Sequence, residues 1–164
     1  MGKGRLEAFS DGVIAIIITI MVLNLNMPRG TDFAALRPLV PVFLTYILSF
    51  IYTSIYWNNH HHLFQAVHRV NGRVLWANLH LLFWMSFIPF VTGWVGGTHF
   101  ATVPVFCYGI VFLFAAIAYS ILTHSLIAHH GKDSTLAIAF GEDFKGKVSL
   151  LIYTIAILIC FINS

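Results

Sequence analysis

The chain has 164 residues, of which 59% are hydrophobic and 9% charged, with a mean hydropathy of +0.84 and a formal net charge of +3 at pH 7. A soluble domain spends about a quarter of its residues on charge, so water is not the main solvent for this surface and a water-soluble globular domain is excluded. The small positive charge forms no basic stripe interleaved with aromatics, so no nucleic acid partner is expected.

These features predict an all-α fold, a polytopic helical bundle in a membrane forming one domain over 1–164. The first span is predicted over 6–27, where an apolar run follows Lys3 and Arg5 and stops at Pro28. It has no small-residue cleavage pattern and more apolar segments follow, so it is read as a retained span and not a signal peptide. Leu6 stands where a myristoylation pattern needs Ser or Thr. The second span is predicted over 38–64, with Pro38 and Pro41 in an opening turn that tolerates a missing N–H. A polar turn at His68, Arg69, Asn71, Gly72 and Arg73 leads to a third span over 74–91. Thr92, Gly93, Gly96, Gly97, Thr98 and His99 read as the next break.

A fourth span is predicted over 101–127, a linker on the cytoplasmic side over 129–147, and a short fifth span over 148–162. From 74 to 131 no Asp, Glu, Lys or Arg occurs, a run of 58 residues that holds two crossings and a turn. With the N-terminus inside, Lys3, Arg5, Arg69, Arg73, Lys132, Lys145 and Lys147 face the cytoplasm, and only Arg29 and Arg37 lie outside. Seven against two favours that orientation in the cell membrane. Trp57, Trp76 and Trp94 fall near span ends, as interfacial anchors do.

The chemistry concentrates at the start of the first span, in Arg5, Phe9, Ser10, Asp11 and Gly12. An aspartate set against an apolar helix is costly unless it meets donors. Glu7 at i−4 carries the same sign, so the donors must come from other helices. His60 and His61 at the end of span two and Asn78 in span three lie at the same side of the bilayer. A buried cluster of Arg5, Ser10, Asp11, His60 or His61, and Asn78 is therefore expected, tying three helices together. Adjacent helical residues point about 100° apart, so His60, His61 and His62 cannot all ligate one ion, and neither a metal site nor a cofactor is expected. H-E-x-x-H, G-x-S-x-G and a phosphate-cradling glycine loop are all absent from the sequence, which argues against an enzyme. Cys107 and Cys160 lie in apolar stretches and read as small buried hydrophobes.

Arg5-x-x-x-Phe9-Ser10-Asp11 with Gly12-Val13 and the following isoleucine-rich run resembles the signature of the lysosomal and prokaryotic potassium-channel family, transmembrane protein 175. The resemblance continues through Trp57-x-Asn59-His60-His61, Asn78-Leu79-x-Leu81-Leu82-Phe83 and Ser86-Phe87-x-Pro89-Phe90. It implies a homotetrameric, potassium-permeable channel whose first helix lines a central pore. Carried over, it puts the constriction on Ile16, further rings on Ile20 and Leu23, and a threonine layer on Thr19, with Arg5 and Asp11 in a polar network. The permeating ion would be K+ among monovalent cations, and the partners other copies of the chain and membrane lipid. Family members have six helices per unit where five spans are predicted here, which touches packing at the periphery more than the pore.

Spacing alone leaves alternatives open. Ile16, Thr19, Ile20 and Leu23 share one helical face, which suits a pore lining and a packing seam equally well. A proton-coupled or proton-selective transporter is motivated by Glu7, Asp11 and nine histidines. A nonconducting structural membrane protein also fits the hydrophobicity.

Overall fold

A computed structural model describes residues 2–131 together with Leu136. The expected linker over 129–147 falls mostly, and the expected fifth span over 148–162 entirely, outside the described residues. Those residues form α1 (Lys3–Leu23), a 3-10 helix (Phe33–Leu39), α2 (Val40–Gln65), α3 (Gly72–Met85), α4 (Ile88–Gly97) and α5 (Thr102–His130). With α3 and α4 taken together, four helical segments are long and apolar enough to cross a membrane. The 21 residues of α1 rise about 31 Å, close to the thickness of a bilayer core.

Two sets of contacts define the ends of the bundle. At one end Asn78 of α3 bonds Ser10 of α1, and Asn71 bonds His129 of α5. At the other, Asn24 after α1 bonds the Pro89 carbonyl of α4, and Gly96 of α4 meets Val42 of α2. The crossings therefore alternate in direction, with α1 and α3–α4 running one way and α2 and α5 the other. The core between them holds Leu6, Ile14, Ile17, Met21, Phe64, Met85, Ile88, Phe112 and Leu122.

The inward face of α2 is mainly polar. Thr45, Ser49, Thr53, Tyr56 and His60 are buried, while Leu44, Ile47, Leu48, Phe50, Ile51 and Ile55 are exposed. This is the reverse of a soluble amphipathic helix, and in lipid it is the economical arrangement: apolar side chains lose nothing by facing the bilayer, and hydroxyls bond across helices. Ser49 meets the Thr92 hydroxyl at 2.7 Å and that of Tyr108 at 2.9 Å, joining α2 to α4 and α5.

Of the break expected over residues 92–99, residues 92–97 are helical and the turn before α5 begins at Thr98. The helical path is interrupted at Ser86 and Phe87, before α4, and then continues to Gly97. Pro89, in the first turn of α4, has no N–H to continue the ladder of α3. The glycines that read as breakers instead permit close packing. A Cβ on Gly96 would sit 2.8 Å from the Val42 Cα, so α2 and α4 touch through backbone there. The chain turns after α4 through His99 and Phe100, both with positive φ, at 52° and 62°. Before α2, Asp32 caps the 3-10 helix by accepting from the Ala35 N–H at 3.1 Å.

Candidate functional site

Two faces of α1 divide its functional residues. Leu6, Ser10, Ile14, Ile17 and Met21 are buried against α2, α3 and α4. Arg5, Phe9, Gly12, Ile16, Ile20 and Leu23 follow one another at 3- and 4-residue steps on another face, with Thr19 beside Ile20, all exposed. Ile16 is 59% exposed, Ile20 43%, Leu23 75% and Phe9 54%, so no other described part of the chain covers this apolar stripe. Among the described residues, none packs on this face as a seam within one chain would require.

Thr19 adds one polar group to the stripe. Its hydroxyl donates to the Ala15 carbonyl at 2.9 Å. The donor is thereby satisfied within the helix, and the oxygen lone pairs remain available on the exposed side.

The buried face carries a three-helix polar chain. His60 of α2 and Asn78 of α3 lie 2.8 Å apart, and Asn78 Nδ2 donates to Ser10 Oγ of α1 at 2.9 Å. Ser10 in turn donates to the Leu6 carbonyl at 2.9 Å. Because Asn78 Oδ1 can only accept, His60 Nε2 carries the proton in this bond. All three side chains are almost fully buried, and the His60 ring lies against Phe64 with centroids 4.5 Å apart.

The expected cluster is narrower than its sequence version. Arg5 and Asp11 are exposed and lie outside the buried chain, because at 100° per residue Asp11 turns away from Ser10. Asp11 instead accepts from the Trp57 indole N–H of α2 at 2.9 Å. His61 is likewise outside: it stacks on Trp57 at 5.7 Å and accepts from the Gln65 amide at 2.9 Å. Trp57, read first as an interfacial anchor, is also the partner of Asp11. Among the described residues, no group of three His, Cys, Asp or Glu side chains could hold a metal ion.

Two features escaped the sequence reading. The buried polar stripe of α2 has a legible signal, hydroxyls at 3- and 4-residue spacing from Thr45 to Tyr56 and then the His60 imidazole. The second is a clamp at the end of α5: His130 Nε2 accepts from the N–H groups of His68 and Arg69 at 3.3 and 3.5 Å, while Asn71 bonds His129 at 3.0 Å. No local pattern announces it, since the partners are some 60 residues apart.

The buried chain predicts an asymmetric stability response. Asn78→Leu breaks both bonds of the chain and orphans the buried His60 N–H, whereas Ser10→Ala breaks one and orphans only an Asn78 Nδ2 N–H; each orphaned donor costs about 1–3 kcal/mol, so the asparagine change costs more. Thermal unfolding in detergent checks this: the Asn78→Leu midpoint falls below that of Ser10→Ala, and equal midpoints would contradict the bond order given above.

The protein family described as endosomal/lysosomal potassium channel TMEM175 matches residues 5–89, a stretch that holds both faces of α1 and the whole polar chain. The chain belongs to the TMEM175 family. A curated potassium channel of Chryseobacterium sp. is 56% identical over 161 residues, covering 98% of this chain and 84% of its own length. The mouse protein named endosomal/lysosomal proton channel TMEM175 is 30% identical over 183 residues, covering 98% of this chain but 36% of its own length. The crystal structure of a lysosomal potassium-selective channel TMEM175 homolog from Chamaesiphon minutus is similar with a TM-score of 0.83 and 29% identity, covering 98% of this chain and 87% of that one. TMEM175 is described as an ion channel, which is not an enzyme class. Together with the apolar helices, membership makes this an all-helical membrane protein.

Proposed function

We propose that the chain is one subunit of a homotetrameric, potassium-permeable channel of the cell membrane, with its N-terminus cytoplasmic and the exposed stripe of α1 lining the pore. The observation that carries this is the uncovered stripe of Ile16, Thr19, Ile20 and Leu23 on a TMEM175 helix whose opposite face is fully packed. The interior of one protomer is filled by side chains such as Met21, Met85 and Ile88. A pathway lined by α1 therefore needs copies of the helix around a symmetry axis.

In that arrangement Ile16 forms the constriction, and Ile20 and Leu23 form further rings. Narrow apolar walls give ions no replacement for hydration, so such a ring gates by dewetting and a small outward rotation admits water. The Thr19 hydroxyls supply oxygen one turn beyond the constriction. Without a carbonyl cage, discrimination among monovalent cations is modest. Asp11, held by Trp57, joins α1 to α2 and sets the rotation of the lining helix. No cofactor takes part, K+ is the permeating ion, and the partners are other copies and membrane lipid.

The test is flux from liposomes containing the purified protein, alongside its assembled mass in detergent. Potassium flux exceeding sodium flux, with a mass of four copies, is the expected result. The animal relatives are named proton channels, which favours a second reading in which protons permeate. Under opposed gradients, a reversal potential that follows pH and ignores potassium would replace the first reading by the second. Pure protein that passes no ion would leave a structural role.

A further inference from the structure

A groove of about 510 Å³ lies along the outer side of α5, with Arg73 of α3 among its lining residues. Ile117, Ser120, Ile121, His124 and Ala128 line it, and their 3- and 4-residue steps put them on one face of α5. From Ile117 to Ala128 the helix rises about 16 Å, half of a bilayer core of about 30 Å, which is the depth of one leaflet.

The groove has the polarity of a lipid. Ala128 is two residues from the end of the 29-residue α5, and Arg73 is the second residue of α3, so both lie where the helices leave the hydrocarbon. The Ile117 and Ile121 end lies deeper. The Arg73 guanidinium has no ion-pair partner among the described residues, and no acidic residue occurs from 74 to 131. His124 spends Nδ1 on the Ser120 carbonyl at 2.7 Å, which leaves Nε2 as the nitrogen open to a ligand. Among the described residues this basic group, at the end of an apolar trough one leaflet deep, meets no anion, and in a membrane the abundant anion at that depth is lipid phosphate.

We propose that this groove holds one anionic phospholipid, its acyl chain lying along α5 and its phosphate at Arg73. The site lies on the α3–α5 side, apart from the exposed stripe of α1, and does not rest on the ion that the protein conducts.

The test uses the full chain reconstituted in nanodiscs with equal amounts of phosphatidylglycerol and phosphatidylcholine, re-extracted in detergent, and the retained lipid counted by mass spectrometry. One uncompensated basic group near the surface gives about a fivefold preference for the anionic lipid. Arg73→Gln should bring the two lipids to parity while some lipid remains, and Ile121→Trp, which fills the trough, should abolish retention of both. Ile121 is exposed, so its replacement spares the core, and an unchanged unfolding midpoint verifies this. An unchanged preference in Arg73→Gln, unchanged retention in Ile121→Trp, or no lipid retained by the parent protein overturns the proposal. So does displacement of the preference by excess inorganic phosphate, which would mark a site for the free ion.

Discussion

Ile16→Asn raises resting potassium conductance in planar bilayers by at least about tenfold, and Ile16→Ala raises it less. Each 1.4 kcal/mol removed from a barrier is worth about a factor of ten. An amide offers water and ions hydrogen bonds that an isoleucine withholds, while alanine only widens the opening. In a symmetric assembly one substitution alters every copy of the ring at once. Ile16 is largely exposed in the protomer, so neither change opens a cavity in the core, and folding controls should match the parent protein. Unchanged conductance in both variants would remove Ile16 as the constriction. The same recording with Thr19→Val separates gating from selectivity: the reversal potential under a potassium/sodium gradient should move with Thr19 and stay with Ile16→Ala.

Gly96→Leu abolishes the compact fold, and Gly96→Ala already costs about 1–3 kcal/mol. The added Cβ would stand 2.8 Å from the Val42 Cα, which is backbone and cannot rotate aside. Separation of α2 from α4 would also draw Ser49 from Thr92, now at 2.7 Å, so a buried hydroxyl pair is lost with the packing. Gly97→Ala is the control. A Cβ there meets nothing within 4 Å, and alanine is favoured over glycine in helices by up to about 1 kcal/mol. Its unfolding midpoint in detergent should hold or rise while that of Gly96→Ala falls. If the two alanine variants unfold alike, backbone contact between α2 and α4 is not what Gly96 provides.

The two glycines also show where local reading stops. Gly93, Gly96 and Gly97 read as a loop because glycine weakens isolated helices, yet all three lie within α4. The advantage of a missing Cβ appears only when another backbone approaches. Ser10 and Asp11 make the same point: adjacent in sequence, they differ because one faces Asn78 and the other Trp57. Helical periodicity separates them by about 100° but does not say which side the neighbours occupy.

Much was nevertheless legible in the residues alone. Membrane class follows from the scarcity of charge, and the helical character of the crossings from the need to satisfy backbone groups within hydrocarbon. The shared face of Ile16, Thr19, Ile20 and Leu23 follows from helical spacing, and the Arg5-to-Asp11 motif pointed to the family. Tertiary structure alone decided that this face stays uncovered by the described chain, that Ser10, His60 and Asn78 close a buried chain without Arg5 and Asp11, and that the α2 hydroxyls point inward. The reason is physical. Composition and period depend on one segment and its solvent, whereas coverage, donor pairing and backbone approach depend on which helix lies alongside, and residues far apart in sequence supply those partners, Ser10 and Asn78 being 68 positions apart.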